Sequence, residues 1–115
     1  MSDYLFLFRG GFPMYEGWSP EEMQQHFKKW GAWIKRMSED GHYQGGHPLS
    51  AEGKTVTGTG KVVKDGPFAE AKDVVGGYVL ISSETLERAL ELAKECPVLE
   101  IGGQVEVRPI STLHN

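Results

Sequence analysis

The chain is short of most things that announce an enzyme. It has one cysteine, Cys96, in 115 residues, so no intrachain disulfide can form, and a reducing, cytoplasmic setting is expected. Only four histidines occur, His26, His42, His47 and His114, none at i, i+4 from another, and no diagnostic metal-ligand spacing is present. There is no nucleophile elbow and no dinucleotide fingerprint. The stretch "GTGKVV" at 58–63 lacks both the long glycine loop and the following helix of a phosphate loop. Neither a metal nor a cofactor is expected. Basic residues are also few, 12 against 16 acidic, for a net charge of −4. They are scattered along the chain, which argues against a nucleic-acid partner. Long apolar runs are missing too: the N-terminal "YLFLF" is far shorter than the ~20 residues needed to span a bilayer. It follows Asp3 rather than a basic n-region, so it reads as a first strand, with no membrane partner.

What is present fits one globular domain spanning residues 1–115, with ordinary proportions of hydrophobic (39%) and charged (24%) residues. "YLFLFR" alternates Tyr4, Phe6 and Phe8 against Leu5 and Leu7, and "GYVLIS" alternates Tyr78 and Leu80 against Val79 and Ile81. Two apolar faces mark each as a strand covered on both sides. Between them lies "SPEEMQQHFKKWGAWIKRMSEDG", which predicts a helix. Ser19 is its N-cap, Pro20 sits in the first turn, Glu21 and Glu22 face the positive end, and Gly41 is the stop. Met23, Phe27, Trp30, Ile34 and Met37 follow a helical spacing and are expected to form its apolar stripe.

"HYQGGHPL" holds one short strand and "KTVTGTGKVV" a hairpin arm broken by glycines. Ser83 is the expected cap of a second helix with Leu86, Ala89, Leu90 and Ala93 inward, ended by Pro97. In the last strand Val105 and Val107 point inward, Glu106 and Arg108 outward. The order β-α-β(β)-β-α-β predicts an α+β, ferredoxin-like βαββαβ sandwich with an antiparallel sheet, its first and third main strands central. Both helices then cover one face. The second apolar face is expected to be closed by a symmetric partner, a homodimer.

Candidate site residues gather around "DGPFAEAKDVVGGY" at 65–78. Asp65 is either a turn former before Gly66-Pro67 or an acid-base group facing a pocket. Phe68 would anchor the loop, and Glu70, Lys72 and Asp73 are either a solvated loop surface or the rim of a cleft. His26, at the margin of the first helix's stripe, is the best proton-transfer partner for Asp65, and Trp33 on the same face is expected to wall a cleft or meet a partner. Arg9 and Arg108, at strand ends, are either anchors for an anionic ligand or ion-pair partners of Glu106. His47 and Tyr78 complete the candidate ligand contacts. Cys96 reads as a small buried hydrophobe.

The same stretch resembles the signature of the DGPF-type, YciI-like (YCII-related) family, Asp-Gly-Pro-Phe-Ala-Glu-x-Lys-Glu followed by Gly-Gly and an aromatic residue. "FLFRGG", "SPEEM", "KWGAWI", "GGHPL", "ECPVL" and "VEVRPI" extend the likeness over essentially the whole chain. Asp73 stands where the motif more often has Glu. The resemblance implies a ferredoxin-like dimer of α+β barrel type, with Asp65, Glu70 and Lys72 as the motif's Asp, Glu and Lys. Some relatives resemble isomerases of the muconolactone type and dehalogenating enzymes, and others accompany sigma factors. Two functions therefore stand side by side. One is a cofactor-independent lyase, isomerase or dehydrohalogenase acting on a small, anionic, cyclic molecule through an Asp65–His26 pair. The other is a non-catalytic small-molecule-binding or regulatory domain associated with a transcription system.

Overall fold

The computed structural model describes residues 1–10, 15, 17–50, 52–66 and 74–111. Four strands form the main sheet: β1 (Ser2–Arg9), β2 (Tyr43–Pro48), β5 (Val75–Ser83) and β6 (Gln104–Pro109). Their order is β2-β5-β1-β6, and every neighbouring pair is antiparallel. This is the ferredoxin-like arrangement, with the two strands that are apolar on both faces at the centre. The helices α1 (Pro20–Glu39) and α2 (Leu86–Ala93) cover one face.

The predicted helix start is present in full. The Ser19 hydroxyl accepts from the Glu22 N–H while the Glu22 carboxylate accepts from the Ser19 N–H, each at 3.1 Å, so two otherwise orphaned donors are satisfied. Asp40 caps the other end, and Gly41 turns the chain at a φ of 79°.

The buried stripe of α1 is shifted from the expected one. His26, Trp33 and Met37 are its buried residues, with Trp30 half-buried beside them. Trp33 stacks on Phe6 with ring centroids 6.2 Å apart. Its indole N–H donates to the Leu92 carbonyl oxygen at 3.0 Å, joining α1 to α2. Trp33 is therefore the keystone between the layers, at 1% exposure, and not a cleft wall.

α2 starts two residues later than expected. Thr85 caps it by accepting from the Arg88 N–H, while Ser83 still belongs to β5 and donates to the Thr85 carbonyl oxygen. Its buried side chains are Ala89, Leu92 and Ala93, whereas Leu86 and Leu90 are exposed. The two alanines let α2 lie close to the sheet. A short 3-10 turn, Pro97–Ile101, carries the buried Val98 and leads into β6.

β3 (Lys54–Thr57) and β4 (Val62–Asp65) form a separate two-stranded hairpin between β2 and β5. The stretch read as one broken arm is thus a complete hairpin, closed through Gly58–Lys61, with Lys61 at a φ of 54°. Among the described residues no helix is long and apolar enough to cross a membrane.

Candidate functional site: an aromatic cleft between α1 and the glycine edge of the sheet

α1 carries more apolar surface than the core uses. Met23, Phe27 and Ile34 lie to one side of the buried stripe, and Phe27 is 52% exposed. With Trp30 they form one wall of a cleft of about 530 Å³, a size typical of small-molecule pockets. Phe8, Val79 and Tyr43 face them from the sheet, and Tyr15 and Val98 close the ends.

The floor exists because it lacks side chains. Gly46 pairs with Val79, and Gly77 with Phe8 and Pro48. A Cβ at Gly46 would come within 2.4 Å of the Tyr78 carbonyl oxygen, so no other residue fits there without moving β2. At Gly77 a Cβ would lie 3.1 Å from the His47 carbonyl oxygen, and it would project onto the helix-facing side. Glycines at both positions let two backbones approach and leave the space above them open. Gly45, at a φ of 141°, supports the bulge that sets this register.

Behind the helical wall sits His26, 5% exposed and ringed by Tyr15, Trp18, Phe27 and Trp30. The Trp30 indole N–H donates to His26 Nε2 at 2.9 Å. That bond needs a lone pair on Nε2, so the neutral ring carries its proton on Nδ1. Burial pushes the imidazole below its ordinary pKa, and nearby Glu100 only partly opposes this. Tyr15 is pushed up by burial and by Cys96, against a smaller effect of its hydrogen bond with Trp30. Cys96 itself is raised to about 12 by desolvation, as fits an inert core thiol.

The other candidate residues sit elsewhere. Asp65 ends β4, exposed, and is ion-paired with Lys54 across the hairpin. Within one chain its partner is that lysine and the partner of His26 is Trp30; no hydrogen bond or ion pair joins the two. Arg9 donates to Glu106 from Nε and Nη2 at 3.1 and 3.0 Å, and Arg108 reaches the other oxygen of the same carboxylate at 3.4 Å. Both arginines are thus ion-paired with Glu106. They lie on the sheet face opposite the helices, and the Arg9 bond is the main reason the Glu106 carboxyl is held below its usual range. His47 and Tyr78 pair across β2 and β5, their rings in edge contact at 5.9 Å on the sheet face opposite the helices, so they meet the cleft floor only from below. Phe68, Glu70 and Lys72 lie outside the described residues. Among the described residues no group of three or more His, Cys, Asp or Glu is placed to hold a metal.

Sequence reasoning missed Tyr15 and Tyr43 as cleft residues and took Met23, Phe27 and Ile34 for core. The available signal was the width of the apolar band on α1, which exceeds one stripe once His26 and Trp33 are counted with it.

Comparison with known proteins identifies the family. The YCII-related domain matches residues 14–114. The chain belongs to the YCII-related family. An uncharacterized protein, R00369, from Rhizobium meliloti (strain 1021) is 39% identical over 51 residues, which is 44% of this chain and 41% of that protein. The match therefore spans about two fifths of the relative's length. Among solved structures, 5-chloro-2-hydroxyhydroquinone dehydrochlorinase (TftG) from Burkholderia phenoliruptrix AC1100, in complex with 2,5-dihydroxybenzoquinone, is similar over 98% of both chains. The TM-score is 0.49 at 15% identity.

Proposed function

We propose that this YCII-related protein binds a small, flat, cyclic molecule between α1 and the glycine floor of the sheet. The observation that carries the reading is the cleft itself: exposed aromatic side chains facing two glycines whose replacement would fill or distort the space. A helix face open to water has little reason to leave Phe27 standing exposed beside Trp30 unless something covers them.

The chain acts as a homodimer in this reading. Leu5, Leu7, Tyr78 and Leu80 occupy the sheet face that neither α1 nor α2 covers, and each is only half-buried. A second sheet laid on that face would bury them and the Arg9–Glu106–Arg108 row together.

A catalytic form of the proposal, a lyase, isomerase or dehydrohalogenase, keeps Asp65 and His26 as the acid-base pair. It requires Trp30 to release Nε2 and Asp65 to leave Lys54, with the hairpin brought to a cleft by the second subunit. Ligand binding without turnover requires neither, so it is the reading preferred here.

The test is a thermal-shift screen of small cyclic and aromatic compounds against wild type and Phe27→Ser. Phe27 is half-exposed, so the substitution should change the unliganded melting temperature little. Compounds that stabilise the wild type and not the variant support the site. Stabilisation that is equal in both rejects it.

A further inference from the structure

We infer that the ligand of this cleft is electrically neutral and is read by phenolic hydroxyl groups rather than by charge. The inference rests on the binding proposal above and departs from the anionic ligand expected from the sequence. Among the described residues bordering the cleft there is no lysine, arginine, aspartate or glutamate. The arginines nearest in the sheet are committed to Glu106 on its other face. On the outer surface of α1, Lys29 is paired with Glu100 and Arg36 with Glu95. Lys54 is held by Asp65 on the hairpin. A carboxylate entering such a space would lose its water without gaining a counter-charge, which opposes its binding.

The polar side chains available to the cleft are Tyr15 and Tyr43, since strand pairing sets those of His47 and Tyr78 on the opposite sheet face. Tyr43 is the most telling. Its pairing with Ile81 sets it on the helix-facing side, half-buried, and its hydroxyl has no hydrogen-bond partner among the described residues. The Trp30 N–H is already used by His26. Tyr15 keeps its proton more firmly than an exposed tyrosine, since burial disfavours the phenolate. The site therefore offers a neutral hydroxyl at Tyr43, able to donate or accept, above an aromatic wall and near the protonated Tyr15. That suits a phenol, a lactone or a cyclic ketone.

The test is isothermal titration of the intact protein with 2-naphthol and with 2-naphthoate, two probes of nearly equal shape, near pH 8, where an ordinary imidazole is neutral. The neutral probe should bind at least about tenfold more tightly. Tyr43→Phe should weaken it severalfold without lowering the melting temperature. If naphthoate binds as well or better and Phe27→Ser abolishes that binding, the cleft is a ligand site but the neutral-ligand inference is wrong. If neither probe binds, and neutral compounds of other shapes also fail the thermal-shift screen, the binding proposal falls and this inference with it.

Discussion

His26 provides a sharp test of how the cleft wall is held. Its ring is almost fully buried, and its Nε2 accepts the Trp30 indole N–H. Protonation would set an N–H against an N–H and charge a group ringed by aromatic side chains. Burial accordingly holds the folded-state pKa below the unfolded value of about 6.5. The unfolded chain then binds this proton more readily than the folded one. The stabilising contribution is therefore complete above about pH 6.5 and is lost as pH falls toward the folded pKa, at up to about 1.4 kcal/mol per pH unit.

Two variants separate titration from hydrogen bonding. His26→Gln retains an acceptor for Trp30 but cannot titrate, so its stability should change less between about pH 7 and pH 5 than that of the wild type. His26→Leu also strands the indole N–H, which should cost about 1–3 kcal/mol even at neutral pH. Urea unfolding followed by tryptophan fluorescence across that range measures both. The carboxyl of Glu106, lowered chiefly by Arg9, releases its contribution only below the ordinary carboxylate pKa and leaves this window clear. If the wild type and His26→Gln lose stability in parallel over that range, the assignment of a neutral, tryptophan-bound imidazole is wrong.

Two further outcomes follow from the floor and the open sheet face. Gly46→Ala should cost more stability than Gly77→Ala, since the added methyl meets backbone within 2.4 Å in the first case and at 3.1 Å in the second. Gly77→Ala should reduce ligand affinity at a smaller stability cost, its nearest neighbours being backbone atoms at 3.1 and 3.2 Å, and comparative urea unfolding with titration separates the two. Leu80→Glu, on the half-buried face that neither α1 nor α2 covers, should convert a dimer to a monomer in light scattering while leaving the circular dichroism of the fold intact. An unchanged mass for that variant would send the search for an interface to another surface.

Much of the scaffold is legible in the sequence because its signals are local. Double apolar alternation marked β1 and β5 as central, and the Ser19–Glu22 box fixed the start of α1. Cys96 read correctly as a small buried hydrophobe. Errors arose where tertiary packing chose between local options. Two hydroxyl residues, Ser83 and Thr85, competed to cap α2, and the extent of β5 decided for Thr85. The close approach of α2 to the sheet selected alanines for the interface and left Leu86 and Leu90 outside.

The site was harder to see, since its key features are absences. Glycine side chains that would clash and a second apolar flank on α1 have no motif of their own. The residues that looked chemical, Arg9, Asp65 and Arg108, are engaged by Glu106 and Lys54. Which of two carboxylates an arginine meets is set by strand register, and register is a long-range property.

The most direct test of the cleft is amide chemical-shift mapping by NMR with a neutral bicyclic phenol as probe. Saturable shifts should concentrate at Tyr43, Gly46, Gly76, Gly77 and along the Met23–Ile34 flank of α1. Shifts confined to the hairpin, to α2 or to the Arg9–Glu106 face would contradict the account.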